Sequence, residues 1–182
     1  KRLLDDFLQS VHLLQKNIPN IHVTIPTFAQ FQSFIETQGK NFPFPVSLIA
    51  QEDKVDCFNN TSFAIAASGT VALELSLFNF PFVIAYKVSP LTAFIGRRIA
   101  KVNYICLVNV LMNKAIVPEL IQEKCNAQDI FEAALPLIQD KDKIKTFEND
   151  KKKALSLLQT NESMPDCIVR HMLGEMNLSV TF

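Results

Sequence analysis

The stretch Phe63-Ala64-Ile65-Ala66-Ala67-Ser68-Gly69-Thr70-Val71-Ala72-Leu73-Glu74 decides the fold of this chain. Its apolar beginning predicts a buried strand, and the residues after Ser-Gly-Thr predict a helix. A turn of small residues between a strand and a helix points backbone N–H groups at an anion, and the helix dipole favours negative charge there. Ser68, Gly69 and Thr70 are therefore candidate anion-binding residues.

Glu74 is the acidic residue of this stretch. It follows Thr70 by four positions, so both side chains project from the same face of the predicted helix. Its neighbours are apolar, and a carboxylate in such a run needs a partner. Two interpretations stay open: an ordinary capped helix with an acid near its dipole, or a ligand site. If Thr70 is the N-cap, Glu74 lies one position beyond a capping box.

Strands and helices alternate along the first part of the chain. Strands are predicted at residues 21–25, 46–50, 62–66 and 82–86, and helices at residues 3–14, 28–35, 54–59, 71–78 and 90–101. This alternation predicts an α/β fold, a Rossmann-like parallel sheet with helices on both faces. Ligands of such sheets bind at the carboxyl ends of the strands, where Ser68 lies, and this favours the ligand interpretation.

The pattern changes in the C-terminal part. A short helix is predicted to begin at Pro118-Glu119-Leu120-Ile121-Gln122, and another covers residues 127–138. Residues 141–159 are highly charged, which is typical of a solvated helix face, and a last helix is predicted at residues 165–173. We predict a Rossmann-like domain over residues 1–138 and a C-terminal helical extension over residues 139–182. Because the chain opens in a helix, we expect the domain to lack its first strand and the loop after it.

Composition excludes several classes of function. The net charge is zero, from 18 basic and 18 acidic residues, which is not typical of a nucleic-acid binder. The apolar segment 63–88 is interrupted by polar residues, glycine and proline, so no transmembrane span is predicted. The cysteines and histidines have no metal-ligand spacing, so we predict no metal, no cofactor and the reduced thiols of a cytoplasmic protein. They are Cys57, Cys106, Cys125, Cys167, His12, His22 and His171.

Four segments together carry a resemblance to a known family. They are residues 68–74, Tyr86-Lys87-Val88-Ser89-Pro90-Leu91-Thr92, residues 103–111 and residues 118–122. In this order they resemble the carboxyl-terminal half of lipid-A-disaccharide synthase, a glycosyltransferase with the GT-B fold of two Rossmann-like domains. The resemblance covers nearly the whole chain up to about residue 140. It implies transfer of diacylglucosamine from its UDP derivative to diacylglucosamine 1-phosphate, with release of UDP.

The resemblance also implies site residues. Ser68, Gly69 and Thr70 would hold the diphosphate, and Glu74 would accept hydrogen bonds from the ribose hydroxyls. The residues lining the cleft near the nucleotide would be Tyr86, Asn109, Glu119 and Gln122. The family's catalytic carboxylate and acceptor site belong to an amino-terminal domain, so no catalytic residue is expected here and the isolated chain is expected to be inactive.

Two departures from the family pattern bear on these expectations. The family has a Gly-Ser-Arg loop just before the point where this chain starts. Its Pro-Asn-(Leu/Ile)-(Leu/Ile)-Ala-Gly motif corresponds here to Val108-Asn109-Val110-Leu111-Met112-Asn113. Because Pro and Gly are replaced, the loop is not expected to keep the shape it has in the family, and the role of Asn109 stays open. The resemblance also implies a homodimer, because members of the family form dimers in which C-terminal helices are exchanged.

A basic segment suggests a membrane contact. Lys87, Arg97, Arg98 and Lys101 lie among apolar residues, and a basic amphipathic helix can bind the cytosolic face of the inner membrane. The alternative is a helix that faces the core and exposes a solvated basic face. Two other functions stay open for the chain as a whole: a UDP-sugar epimerase-like domain, and a non-catalytic remnant or interaction domain.

Overall fold

The computed structural model of this chain describes residues 3–67, 69–87 and 104–158. Its helices are α1 (Leu4–Gln15), α2 (Gln32–Gly39), α3 (Lys54–Asn59), α4 (Gly69–Ser76), α5 (Leu107–Met112), α6 (Ala127–Gln139) and α7 (Lys141–Leu158). Its strands are β1 (Val23–Thr27), β2 (Val46–Ala50), β3 (Ala64–Ala66), β4 (Phe82–Tyr86) and β5 (Glu119–Ile121). Short 3-10 helices at Ala29–Phe31, Gln51–Asp53 and Gln122–Lys124 follow three of the strands.

Each strand pair in the described residues is parallel. β1 pairs with β2 from Val23↔Val46 to Thr27↔Ala50. A second sheet has the order β3-β4-β5, with Ala66 opposite Ile84 and Tyr86 opposite Ile121. Parallel strands require crossover connections, and the alternating helices supply them. The predicted α/β class with a parallel arrangement is confirmed, although the strands are divided between two sheets.

β4 is the centre of the main core. Phe82, Val83, Ile84 and Ala85 are at most 1% exposed, because this strand has a neighbour on each side and helices on its faces. A strand that is apolar at every position is typical of such a place. The predicted bounds of β4, α3 and β2 agree with the structure residue for residue.

One predicted element is wrong. The segment from Pro118 to Gln122 does not begin a helix, because Glu119–Ile121 is β5 and pairs with β4 from Ile84↔Glu119 to Tyr86↔Ile121. Three residues carry no periodicity, so only the pairing with β4 identifies the strand. The predicted helices at residues 90–101 and 165–173 lie outside the described residues. Within the described part of the chain, no helix has the length and apolarity to cross a bilayer.

Helix α7 belongs to the same core. Phe147 and Ala154 are buried in the cluster that includes β4, and Lys151 between them is only 2% exposed. The interpretation of this charged segment as a solvated face is therefore wrong for Lys151, although its neighbours Lys152 and Lys153 are exposed. The predicted boundary between residues 138 and 139 stays a prediction.

The ammonium of Lys151 holds the connection between α4 and β4. Its Nζ donates to the carbonyl oxygens of Phe78 and Phe80, the second at 3.2 Å, and lies 5.6 Å from the ring centre of Phe147. A buried ammonium needs hydrogen-bond acceptors, and these two loop carbonyls supply them. Burial lowers the pKa of Lys151 from its ordinary value of 10.5 to about 8.

Candidate functional site

The carboxyl ends of β3, β4 and β5 lie at one edge of the sheet. Because the three strands are parallel, the start of α4, Lys87 and Gln122 all follow strand ends at this edge. Open α/β sheets bind their ligands outside such an edge. Ser68 is outside the described residues, Gly69 begins α4, and Thr70 is exposed in its first turn.

Glu74 lies in the second turn of α4, four residues after Thr70. Its Oε2 accepts a hydrogen bond from Lys54 Nζ at 2.6 Å, and its side chain is 40% exposed. The partner that the sequence required is therefore a lysine on α3. Since α4 begins at Gly69, Glu74 is the sixth helical residue, well beyond the third position that a capping box requires.

Asn109 is fully buried and uses all its hydrogen-bonding capacity in the connection between α5 and β5. Its Oδ1 accepts from the backbone N–H groups of Ile116 and Val117, both at 2.8 Å. Its Nδ2 donates to Val117 O at 2.7 Å and to Glu119 Oε1 at 2.8 Å. A primary amide offers two donors and one acceptor oxygen with two lone pairs, so these four bonds saturate it. Asn109 therefore shapes this loop.

Glu119 holds the start of α5. Its Oε2 accepts from Ile105 N at 2.8 Å, and its Oε1 accepts from Cys106 N at 2.9 Å as well as from Asn109. Both carboxylate oxygens are thus engaged with groups of the protein. Burial raises the pKa of the Cys106 thiol above its ordinary value of 9.0, and the Glu119 charge adds a smaller contribution in the same direction.

Asn113 forms a left-handed turn at the end of α5. It is the residue after α5, with φ 44° and ψ 41°, a left-handed conformation that favours glycine and is tolerated by asparagine. It corresponds to the Gly of the family motif. Lys114 N–H then donates to the Asn109 carbonyl at 3.1 Å, as expected at a helix end of this type.

Two predicted cleft residues lie at the carboxyl edge itself. Tyr86 is the last residue of β4 and is 37% exposed. Gln122 directly follows β5 and has φ 57°, a left-handed backbone that costs about 1–2 kcal/mol for a residue with a side chain. Such strained positions concentrate at binding sites.

Lys87, which was predicted to belong to a basic membrane surface, is engaged by the protein. Its Nζ donates to Asp6 Oδ2 at 2.5 Å and so ties α1 to the end of β4. Arg97, Arg98 and Lys101 lie outside the described residues. Across the described ranges, no group of three or more His, Cys, Asp and Glu side chains is arranged as metal ligands.

These parallel strands, their covering helices and the polar groups at one carboxyl edge define a Rossmann-like α/β domain, consistent with one half of a GT-B fold. The family model for lipid-A-disaccharide synthetase matches residues 1–172. The chain belongs to this family.

The curated proteins that are similar to this chain are named lipid-A-disaccharide synthase. The chain is 33% identical over 155 residues to lipid-A-disaccharide synthase of Sulfurihydrogenibium sp., an overlap of 79% of this chain and 40% of that protein. It is 38% identical over 125 residues to the protein of Rhodospirillum centenum, covering 68% and 31% of the two chains. It is 37% identical over 144 residues to that of Synechocystis sp., covering 78% and 36%. The chain thus spans two fifths or less of the length of these relatives.

Two residues of this region were not predicted from the sequence: Lys54 and Lys151. Lys54 is 20 positions from Glu74, so no local pattern links the two. Lys151 had a signal, because Phe147, Lys151 and Ala154 are spaced four and three residues apart and share one helix face.

Proposed function

We propose that this chain is the UDP-binding half of lipid-A-disaccharide synthase. The whole enzyme would transfer diacylglucosamine from its UDP derivative to diacylglucosamine 1-phosphate and release UDP. The observation that carries the proposal is Glu74 on α4, a half-exposed carboxylate in the second turn of a helix that starts at the carboxyl edge of the sheet. Membership of the lipid-A-disaccharide synthetase family also supports this proposal.

The proposed roles follow from the chemistry of the groups. Ser68, Gly69 and Thr70 would bind the diphosphate through backbone N–H groups and hydroxyls at the start of α4. Glu74 would accept hydrogen bonds from the ribose hydroxyls, since an ionised carboxylate is an acceptor at both oxygens. As the sugar leaves, negative charge grows on the diphosphate, and donors already fixed at the helix start would stabilise it.

The other predicted residues contribute in different ways. Tyr86 and Gln122 would line the cleft, because both lie where strands end. Asn109 and Glu119 would border it and maintain its shape through the α5–β5 connection, since their hydrogen bonds are made within the protein.

Calorimetric titration with UDP tests the proposal. We expect UDP to bind this chain and Glu74→Ala to weaken binding at least about tenfold, the loss of a charge-assisted hydrogen bond or more. Exposed Glu132 on α6 accepts a hydrogen bond only from Gln128 among the described residues, so Glu132→Ala is the matched control and should bind like the parent chain. Absence of UDP binding at millimolar concentration would favour the non-catalytic remnant.

We also propose that the chain alone does not catalyse transfer, since the acceptor site and catalytic carboxylate would reside outside it. A turnover assay with both lipid substrates should give no disaccharide. Disaccharide formation by this chain would refute that statement.

A membrane contact is proposed from Arg97, Arg98 and Lys101 alone, because Lys87 is bound to Asp6. Co-sedimentation with vesicles that contain anionic lipid should be lost when these three residues are replaced with Gln and retained with Lys143→Gln and Lys145→Gln. The proposed homodimer is tested by light scattering.

A further inference from the structure

The pair of Lys54 and Glu74 joins two βα units that are consecutive in sequence, one from each sheet. Lys54 is the first residue of α3, which follows β2, and Glu74 belongs to α4, which follows β3. Their Nζ and Oε2 atoms are 2.6 Å apart. No hydrogen bond from a described residue reaches the other oxygen, Oε1, so half of the carboxylate is available to a ligand.

The position of Lys54 conflicts with the local electrostatics of its own helix. A cation in the first turn is unfavourable against the helix dipole, and acids are preferred there. Carboxylates much closer in sequence surround it, at Glu52, Asp53 and Asp56, all of them exposed. The ammonium nevertheless contacts Glu74, 20 residues away. A residue type that the local structure disfavours, such as this cation in a first helical turn, is expected mainly at functional positions.

The exposure of the pair argues against a role in stability. The side chains of Lys54 and Glu74 are 27% and 40% exposed, and ion pairs at such positions add little to folding because water screens them. What the contact does achieve is to restrict the rotamers of a flexible glutamate. A carboxylate already fixed in one orientation binds a ligand at a lower entropic cost.

We propose that Lys54 is a positioning residue for the nucleotide site: it holds Glu74 by Oε2 so that the carboxylate meets the paired hydroxyls of the ribose. This inference rests on the proposed function of Glu74. It deepens that function because it names the group that fixes the ribose-binding carboxylate. Lys54 itself contacts no part of the ligand in this scheme.

Calorimetry with two probes tests the inference in this chain. Lys54→Met should weaken UDP binding about fivefold to tenfold, the effect of freeing the rotamers of one glutamate. Its effect on 2′,3′-dideoxy-UDP, which lacks both ribose hydroxyls, should be less than about twofold. Lys54→Arg, which keeps the cation, should retain UDP affinity within about threefold.

The control is a second ion pair, between exposed Lys114 and partly buried Asp150. Lys114 and Asp150 lie 2.5 Å apart, so Lys114→Met removes a comparable contact and should leave UDP affinity unchanged. Equal losses for UDP and dideoxy-UDP in Lys54→Met, or no loss for either, would overturn the positioning role while Glu74→Ala still weakened UDP. If Glu74→Ala had no effect either, the proposed function would fail together with the inference.

Discussion

Asn109 and Glu119 are joined by a hydrogen bond of 2.8 Å from Nδ2 to Oε1, which connects α5 to the first residue of β5. Asn109 also holds the backbone of Ile116 and Val117, and Glu119 holds the two residues before α5. Together they fix the course of the chain between a helix and a strand of the main sheet. A ligand could recruit Asn109 only at the cost of one of its present bonds.

Replacing Asn109 with Ala should therefore destabilise the fold. The substitution leaves the buried N–H and carbonyl of Val117 without their partner, at about 1–3 kcal/mol each, whereas Ile116 N–H keeps its bond to the Lys114 carbonyl. We expect the free energy of unfolding in urea to fall by about 3 kcal/mol or more. Asn60→Ala is the control, because Asn60 is exposed and its amide makes one bond, to Asp56 O. Unchanged stability with lost UDP affinity would instead make Asn109 a ligand contact.

Two substitutions at Gln122 separate the effect of its strained backbone from the effect of its side chain. Gln122→Ala and Gln122→Gly both remove the amide, but only Gly relieves the left-handed conformation at φ 57°. Thermal and urea unfolding should show the Gly variant to be more stable than the Ala variant by about 1 kcal/mol. Both variants should bind UDP more weakly than the parent chain, if the side chain lines the cleft. Equal stability of the two would mean that the strain is absent.

Lys151 should give the chain a distinctive pH dependence. Its pKa is lowered to about 8 in the fold, against 10.5 when unfolded, so between these values the unfolded chain retains a proton that the folded chain has lost. The free energy of unfolding should then rise with pH across this window, by up to about 3 kcal/mol. Below pH 8 both states are protonated and this contribution stays constant.

Urea titrations at several pH values test this expectation. Lys151→Met should lack the rise between about pH 8 and 10.5, whereas Lys153→Met, an exposed neighbour, should retain it. Because other groups also titrate, the quantity to compare is the difference between each variant and the parent chain. A constant difference for Lys151→Met over the whole window would contradict the prediction.

The buried thiols should be protected in the folded chain. Cys106 and Cys125 are 0% exposed, whereas Cys57 is partly exposed. Burial is the main cause that raises the pKa of both buried thiols above 9.0, so they carry little reactive thiolate at neutral pH. Brief alkylation at pH 7.5 and peptide mass mapping should label Cys57 well before either of them. Equal labelling in urea is the control, and equal labelling in buffer would contradict the burial.

The sequence correctly predicted the elements whose own residues form a recognisable pattern. Apolar runs identified β2 and β4, and the Ser-Gly-Thr turn identified the junction of β3 and α4. β5 was missed because three residues between Pro118 and Gln122 have no period, and only the neighbouring β4 makes them a strand. Lys54 was missed for the same reason, since its partner Glu74 is 20 positions away. The spacing of Lys151 from Phe147 and Ala154 indicated a shared helix face, but its carbonyl partners lie more than 70 positions away.

Helix α4 and the connection that follows it are held by parts of the chain on both sides. Lys54, which precedes the helix, contacts Glu74, and Lys151, 73 residues after Phe78, contacts the Phe78 carbonyl in the turn that follows the helix. Dissection of this protein must therefore respect α7. A fragment cut after Gln139 would lose the ammonium that holds the α4–β4 connection, and it would lose Phe147 and Ala154 from the core. Weak nucleotide affinity in such a fragment would report a damaged core, and the smallest unit suitable for binding experiments extends at least to Leu158.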